Sequence, residues 1–359
     1  MTAPILIPHR RLHRVVQAII RAHGSDEREA ELVADHLVRA DLSGHASHGT
    51  GLIPTYVAAI GKGLLVPGTA ALPIRDDGPF LAFDGRRGYG QRVGHEAMEA
   101  AIERCRETGI VVLALRSAHH LGRIGAYGEQ SIAAGLISLH FANVIDHDPF
   151  VAPFGGREAR YGTNPLCMAM PGTADTPPLL LDMATSAIAV GKVRVATETG
   201  ARVPAGSLQG PGGEPVTDPA VLFGEPPGSL LPCGGHKGSG LALFCELLAG
   251  VLTRGGTIHP GNPRQGSIVN NMLTFVLDPA RLGEHDWMAA EIDAVVRYVR
   301  EAPPPDGGGP VMVAGEPERL AVEERSAKGV PLAAGVWEDI RRIGAEAGVE
   351  RSLLESWQE

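Results

Sequence analysis

Residues 41–56, DLSGHASHGTGLIPTY, hold the side chains best suited to acid–base chemistry. His48 stands there between Ser47 and Gly49. An imidazole titrates near neutrality and can hand a proton to a developing alkoxide without a metal. A glycine beside it lets a substrate or cofactor approach the backbone closely. The bland reading of the same residues is a solvated loop histidine. Other histidines add a rival chemistry: His45 lies three residues before His48, His119 adjoins His120, and His140, His147 and His236 follow. Neutral imidazoles ligate zinc, so a histidine-ligated metal hydrolase or lyase competes with metal-free acid–base work. Against it, there is no H-E-x-x-H and no carboxylate at fixed spacing beside a histidine pair.

With 47 glycines the chain also invites a test for nucleotide binding. No G-x-G-x-x-G follows a strand; GRIGAYG at 122–128 has the wrong spacing, so the Rossmann fingerprint fails. The P-loop fails too, because Lys237 precedes Gly238 and Ser239 with no G-x-x-x-x-G-K-[ST] around it. Glycine clusters nevertheless stand at apparent helix starts, at 122–125 and 234–240. Free N–H groups there can hold a pyrophosphate, and ordinary tight turns explain the same glycines equally well.

The elements that must position these residues follow from periodicity. Leu12, Val15, Val16, Ile19 and Ile20 recur at helical spacing and Gly24 stops them. Asp26 with Glu29 starts a second helix, whose Ala30, Val33, Leu37 and Ala40 share a face and whose end delivers His48. Pro54 suits the first turn of a short helix over about 52–60. From about Leu72 strands enter: 80–83, then a helix over 93–108 with Ala97, Ala101, Ile102 and Cys105 on one face, then IVVLAL at 110–115. Further strands are expected at 135–143, after 162–165, at 178–182 and at 267–277. Small-residue and apolar helices are expected around Gly191 and after Gly240, with more helix over 288–300 and in the C-terminal tail. Residues 204–229, rich in proline and glycine, read as a long surface connection. A mid-chain α+β unit inserted into a helical unit built from both termini is the simplest packing.

Composition narrows the function further. The 359 residues are 44% hydrophobic and 20% charged, ample for a core, with a net charge of −9 and no basic block. That argues against nucleic acid or an anionic membrane as partner. The start, MTAPILIPHRR, lacks the pattern of a signal peptide, and no apolar run is long enough to span a membrane, so a cytoplasmic location is expected. Cys105, Cys167, Cys233 and Cys245 are scattered and read as reduced thiols.

Six motifs, DLSGHASHG, SAHHLGRIG, VAPFGG with GTNP, LLDMATSAIAVGKV, GGHKGSGLALFCELLAGVLT and AGEPE, occur in an order that resembles the malate/L-lactate dehydrogenase family lacking a Rossmann domain. Within it, the bacterial hydroxycarboxylate dehydrogenase B subgroup is the most similar; ureidoglycolate, diketogulonate, sulfolactate and imino-acid oxidoreductases are other members. The resemblance implies an α+β fold: a helical domain from 1–74 with 285–359, and a central non-Rossmann cofactor-binding domain at 75–284 with a mostly antiparallel sheet. It implies a homodimer that interconverts small 2-oxo and 2-hydroxy acids with NAD or NADP and needs no metal. His48 would be the acid/base beside the nicotinamide, and His120 a second catalytic histidine. Cofactor contacts would come from His48, Gly122, Arg123, Ile124, Leu180, Leu181, Asp182, Met183, Ala184, His236, Lys237, Asn270, Gly315 and Glu316. For Asp182 a helix-start cap is an equally good account. One departure stands out: Leu52 occupies the position where many members carry a carboxylate-gripping arginine. Arg123 or Arg160 could supply that charge, or Leu52 could suit a bulkier substrate. A member that binds dinucleotide without catalysis is the remaining alternative.

Overall fold

The computed structural model describes residues 4–355. Its first elements arise where apolar positions repeat at helical spacing. Strand β1 (Ile5–Ile7) leads into α1 (His9–Ala22), which buries Leu12, Val15, Val16, Ile19 and Ile20. Asp26 then caps α2 (Glu27–Leu42) by accepting the Glu29 N–H at 2.7 Å. Two single 3-10 turns, Ala46–His48 and Thr50–Leu52, carry the chain into α3 (Ile53–Gly61), with Pro54 in its first turn. There the missing N–H has no intrahelical partner to lose.

The centre alternates strands with helices. β2 (Leu72–Asp77) and β3 (Phe80–Asp84) precede α4 (Gly90–Thr108), which Gly109 ends in the left-handed conformation at φ +79°. β4 (Ile110–His119), α5 (Gly125–Ala133), β5 (Ile137–Ile145), β6 (Leu166–Met170), β7 (Leu179–Met183) and α6 (Val190–Thr199) follow. Next come three two-residue strands, β8 (Leu208–Gln209), β9 (Pro215–Val216) and β10 (Ser229–Leu230). Helix α7 (His236–Cys245) widens into a π turn over Glu246–Leu252, and β11 (Val269–Leu277) succeeds it. The chain finishes with α8 (His285–Arg300), α9 (Glu316–Lys328), β12 (Val330–Leu332), α10 (Ala334–Glu346) and α11 (Arg351–Glu355).

Seven strands form one sheet in the order β2-β3-β4-β11-β5-β6-β7. All its neighbours run antiparallel except β3 and β4. Strand β11 arrives late in the chain yet lies between β4 and β5, which leaves it almost wholly buried. On one face of this sheet α4 lays Val93, Ala97, Ala101 and Cys105 into a cluster with Val111, Leu113 and Leu115 of β4. The alternation of buried positions along β4 is the pleat showing through.

A separate apolar cluster joins the chain ends: α1, α2 and α3 pack with Val330, Leu332, Trp337, Ile340 and Ile343. Each such buried side chain contributes roughly 1.5–3 kcal/mol. β1 and β12 reinforce the closure as an antiparallel pair, Ile5 opposite Leu332 and Ile7 opposite Val330. The architecture is thus α+β, with helices from both ends and a mostly antiparallel central sheet.

Residues 204–229 depart from the long surface connection expected of them. They hold the small sheet β10-β8-β9 and, with Val151 and Val193, a third apolar cluster that includes Val203, Leu208, Leu222 and Leu230. Strands of two residues are too short to show a period, and their apolar partners lie far off in sequence. Among the described residues no helix is long and apolar enough to cross a membrane. The apolar segment after Gly240 instead buries the Glu246 carboxylate, which accepts from Asn143 Nδ2, Asn164 Nδ2 and the Ile258 N–H at 2.7–3.0 Å.

Candidate active site

The loop that carries His48 is built from the end of α2. Asp41, 2% exposed, accepts the Thr50 N–H at 2.9 Å and the Thr50 hydroxyl at 2.7 Å through Oδ2. Burial pushes the Asp41 carboxyl up to about 6, against the pull of those two bonds. Gly49 lies directly over this carboxylate: a Cβ there would stand 1.8 Å from Asp41 Oδ1. Glycine at 49 is therefore demanded by close approach and not by backbone angle. From another side Gly191 of α6 leaves room for Ser47, whose Cβ an added methyl would meet at 2.4 Å.

So held, His48 meets His120 just past the end of β4. Nδ1 of His48 lies 3.3 Å from Nε2 of His120, with the rings near parallel at 15° and their centroids 5.3 Å apart. His120 is buried, and its Nδ1 lies 2.7 Å from the Tyr56 hydroxyl, which in turn accepts from Gln91 Nε2 at 2.8 Å. His48 keeps part of its surface open while protein atoms surround the rest. Burial pulls its pKa down to about 4, helped by His45 and the Arg123 cation. Burial also holds His120 well below the ordinary histidine range. Both rings are neutral at pH 7, so each has one N–H and one bare nitrogen.

Beyond His120 the chain turns at Gly122 (φ +73°), where a side chain would strike His36 Nε2 at 2.4 Å. That same nitrogen accepts the Arg123 N–H at 2.9 Å. Arg123 is 2% exposed and pairs with Glu129, while its Nε and Nη1 have no hydrogen-bond partner among the described residues. Asp182 on β7 accepts the Gly125 N–H at 2.7 Å. Its carboxylate therefore caps the start of α5, an element remote in sequence, and burial raises its pKa. Asn270 spends both ends of its amide on the protein, Oδ1 accepting from the Leu121 N–H at 2.9 Å and Nδ2 donating to the Asn143 carbonyl at 2.8 Å.

The structure thus draws His48, His120, Gly122, Arg123, Ile124, Asp182 and Asn270 into one connected group. Leu180 joins through its N–H to the Ala314 carbonyl, at 3.4 Å, which brings Gly315 against β7. Glu316 next to it is occupied by Arg300 and the Val313 N–H, each at 3.0 Å. Leu181, Met183 and Ala184 lie along and just beyond β7. His236 and Lys237 begin α7, tied to this strand end by the Cys233 N–H on the Thr185 carbonyl at 2.9 Å. They stand beside a surface cavity of about 540 Å³ lined by Phe154, Arg157, Gly234 and Gly235, and the His48–His120 pair is not part of its wall.

Two expected alternatives change weight. Leu52 is half-buried and packs one side against the helical core. Arg160 lies on the surface, paired with Glu158. Among the described residues no three histidine, cysteine or carboxylate side chains converge to hold a metal. His140 is spoken for by Ser138 and Thr274 inside the sheet, at 2.8 and 2.9 Å.

Sequence reading passed over Tyr56, Gln91 and His36. Tyr56 even closes the 41–56 stretch, but only the packing of α3 beside β4 brings its hydroxyl to His120. The one available signal was a polar-tipped ring and an amide at positions that the helical period assigns to buried faces.

The chain matches a family model described as malate/L-lactate dehydrogenase over residues 7–341. It is 46% identical over 320 residues to an L-lactate dehydrogenase of Cupriavidus necator, covering 89% of this chain and 91% of that one. It is 43% identical over 348 residues to hydroxycarboxylate dehydrogenase B of Escherichia coli, covering 96% and 95% of the two chains. A solved malate dehydrogenase from Pyrococcus horikoshii superposes with a TM-score of 0.86 at 30% identity, covering 97% of each chain.

Proposed function

The chain belongs to the malate/L-lactate dehydrogenase family, a family of oxidoreductases acting on small 2-hydroxy acids. From that premise we propose that it interconverts a 2-oxo acid and its 2-hydroxy acid with NADH or NADPH, His48 exchanging the proton on the substrate oxygen. The observation that carries this reading is the part-open His48 ring backed by the buried His120.

A bound nicotinamide would supply or accept the hydride at C2. The residues present fit such a group. Arg123 offers two buried nitrogens without partners, and Gly122, Ile124, the 180–184 strand end, His236, Lys237 and Gly315 would complete its cradle, with Glu316 holding the loop before α9 through Arg300 and the Val313 N–H. Asp182 and Asn270 would serve by fixing the loops at Gly125 and Leu121, since their polar atoms are already engaged there. In the reductive direction the charged form of His48 would give its proton to the carbonyl oxygen and return to the neutral ring, which solvent would protonate again. On oxidation the neutral ring takes the hydroxyl proton. A substrate carboxylate beside His48 would favour its charged form, offsetting the burial that holds it neutral in the free protein. Arg123 is the candidate to hold that carboxylate in place of the absent arginine at Leu52, because it is buried, charged and close enough to act on His48.

The same reading divides the chain into a helical unit, 1–74 with 285–359, and a central cofactor unit, 75–284; the separate apolar clusters support it. It also includes a homodimer, supported by the exposed row Leu243, Phe244, Leu247 and Val251. The test is nicotinamide absorbance with a panel of 2-oxo acids and both reduced cofactors. His48→Ala should lower turnover by roughly 10²–10⁴-fold while dinucleotide binding persists. Full turnover in that variant, or no turnover by the native chain on any 2-oxo acid, would sink the reading.

A further inference from the structure

Strand β4 buries every second residue through Leu115 and then changes phase: Ala118, not Ser117, rejoins the cluster of Val111, Leu113 and Leu115. The cause is a bulge. β11 pairs Asn270 with Ala118 and Met272 with Leu115, so Asn271 alone stands opposite Arg116 and Ser117. Ser117 adopts the left-handed conformation there, at φ +54°. We propose that Asn271 is a positioning residue: its side-chain oxygen pins this bulge, and the bulge sets His120 rather than His119 against His48. The catalytic use of that histidine pair rests on the acid/base role of His48.

A bulge leaves a residue out of the ladder, and its buried N–H then needs an acceptor from elsewhere. Asn271 Oδ1 supplies one, accepting the Ser117 N–H at 2.9 Å. The turn after β3 takes the two carbonyls of the bulge, Arg116 through the Gly85 N–H and Ser117 through the Arg87 N–H, both at 2.8 Å. A serine is strained in the left-handed region, so it persists there only because its surroundings hold it.

Backbone groups settle which way the Asn271 amide points. Oδ1 faces an N–H, while Nδ2 donates to the Gly256 carbonyl at 3.3 Å and to Asn143 Oδ1 at 3.0 Å. Asn143 is fixed likewise, its Nδ2 donating to the same carbonyl at 3.1 Å and to the buried Glu246 Oε1 at 3.0 Å. Asn271 is wholly buried, and Gly255 packs so close that a Cβ there would come within 1.9 Å of Oδ1.

Side chains alternate along a strand, so a shift of one residue exchanges which of two neighbours faces a given side. With the bulge, Ala118 turns toward α4, and two residues later His120 meets His48 at 3.3 Å. Without it that phase would fall on Ser117 and His119. His119 instead lies edge-on to Tyr56, with its Nδ1 unpartnered among the described residues. Asn270 holds the far end of the same bend by accepting the Leu121 N–H at 2.9 Å.

Crystal structures and turnover of two variants test this. Asn271→Ala should release Ser117 from positive φ, carry the His120 ring off His48, and cut turnover by roughly 10- to 100-fold, the scale of a misplacement near 1 Å. Adding Ser117→Gly should bring His120 back and recover most of that turnover. Glycine holds the left-handed region unaided, and a water in the space of the lost amide can accept the N–H. An unchanged bulge and His48–His120 contact in Asn271→Ala would overturn the inference. So would a glycine that restores neither, since Asn271 would then matter only for packing. If Asn271→Ala does not fold, substitutions at 117 alone decide the matter. Ser117→Gly should keep both contact and turnover, and Ser117→Val should lose both, because a branched side chain is an outlier at positive φ. Full turnover and an unchanged bulge in Ser117→Val also sink the proposal. Should the native chain reduce no 2-oxo acid, the acid/base reading fails, while the His120 positions in these structures still decide the role of Asn271.

Discussion

Replacing Gly49 by alanine should damage the site more than any other single methyl. An added Cβ would lie 1.8 Å from Asp41 Oδ1 and 2.3 Å from Asp41 Cγ, so the carboxylate must leave. It cannot do so without giving up the Thr50 N–H and the Thr50 hydroxyl. Bonds to a charged group are worth roughly 1.5–3 kcal/mol each, which puts the loss at about 3–6 kcal/mol. The same displacement releases the 3-10 turn that holds His48, so turnover should fall together with stability. A double-mutant cycle isolates the cause. Asp41→Ala alone sacrifices the same bonds, and adding Gly49→Ala to it should then be nearly free, giving a coupling of about 3–6 kcal/mol between the two sites. Urea unfolding of the four proteins measures it, with turnover followed in parallel. Additive losses, or a Gly49→Ala penalty below about 1 kcal/mol, would show that Asp41 does not anchor the loop.

Acid should weaken the fold through its neutral histidines. His36 and His140 are held to about 3 and His119 to about 4, with His120 well below the ordinary range, all chiefly by burial. The unfolded chain binds these protons at about 6.5, so stability is full above that pH and is lost as pH falls toward the folded values. From pH 7.5 to 5.5 the four amount to roughly 5 kcal/mol, and Asp41, whose raised pKa works the other way, returns about 1 kcal/mol. Urea midpoints at the two pH values test this, and equal midpoints would mean the histidines are charged in the fold. Arg123→Met should raise the Michaelis constant for 2-oxo acids by about 10-fold or more if its unpaired nitrogens meet the substrate carboxylate. Steady-state kinetics with an uncharged substrate analogue as control separates that from a general disturbance, since a carboxylate clamp affects only the acid.

Much of the local structure was legible because neighbours in sequence decided it. Asp26 with Glu29 marks the start of α2, Gly109 ends α4, and the apolar positions of α1 repeat at the period that buries them. His48 beside Gly49, and the glycines after His120, marked a candidate site by residue type alone. Other features were hidden because they depend on residues far apart. Strand β11 pairs with β4 and β5 across a long separation, and no local pattern specifies that order. The strands within 204–229 are too short to carry a period.

The sequence by itself determined the family, since its motifs are short and ordered, and it named the candidate side chains that those motifs carry. The tertiary structure alone decided how those side chains are wired. It packed Leu52 against the helical core, turned Asp182 toward Gly125, and brought Tyr56 to His120. Motifs record which atoms are present. Protonation and tautomer depend on burial and on donors within about 3 Å, and those are supplied only when the helices from the chain ends close over the central sheet.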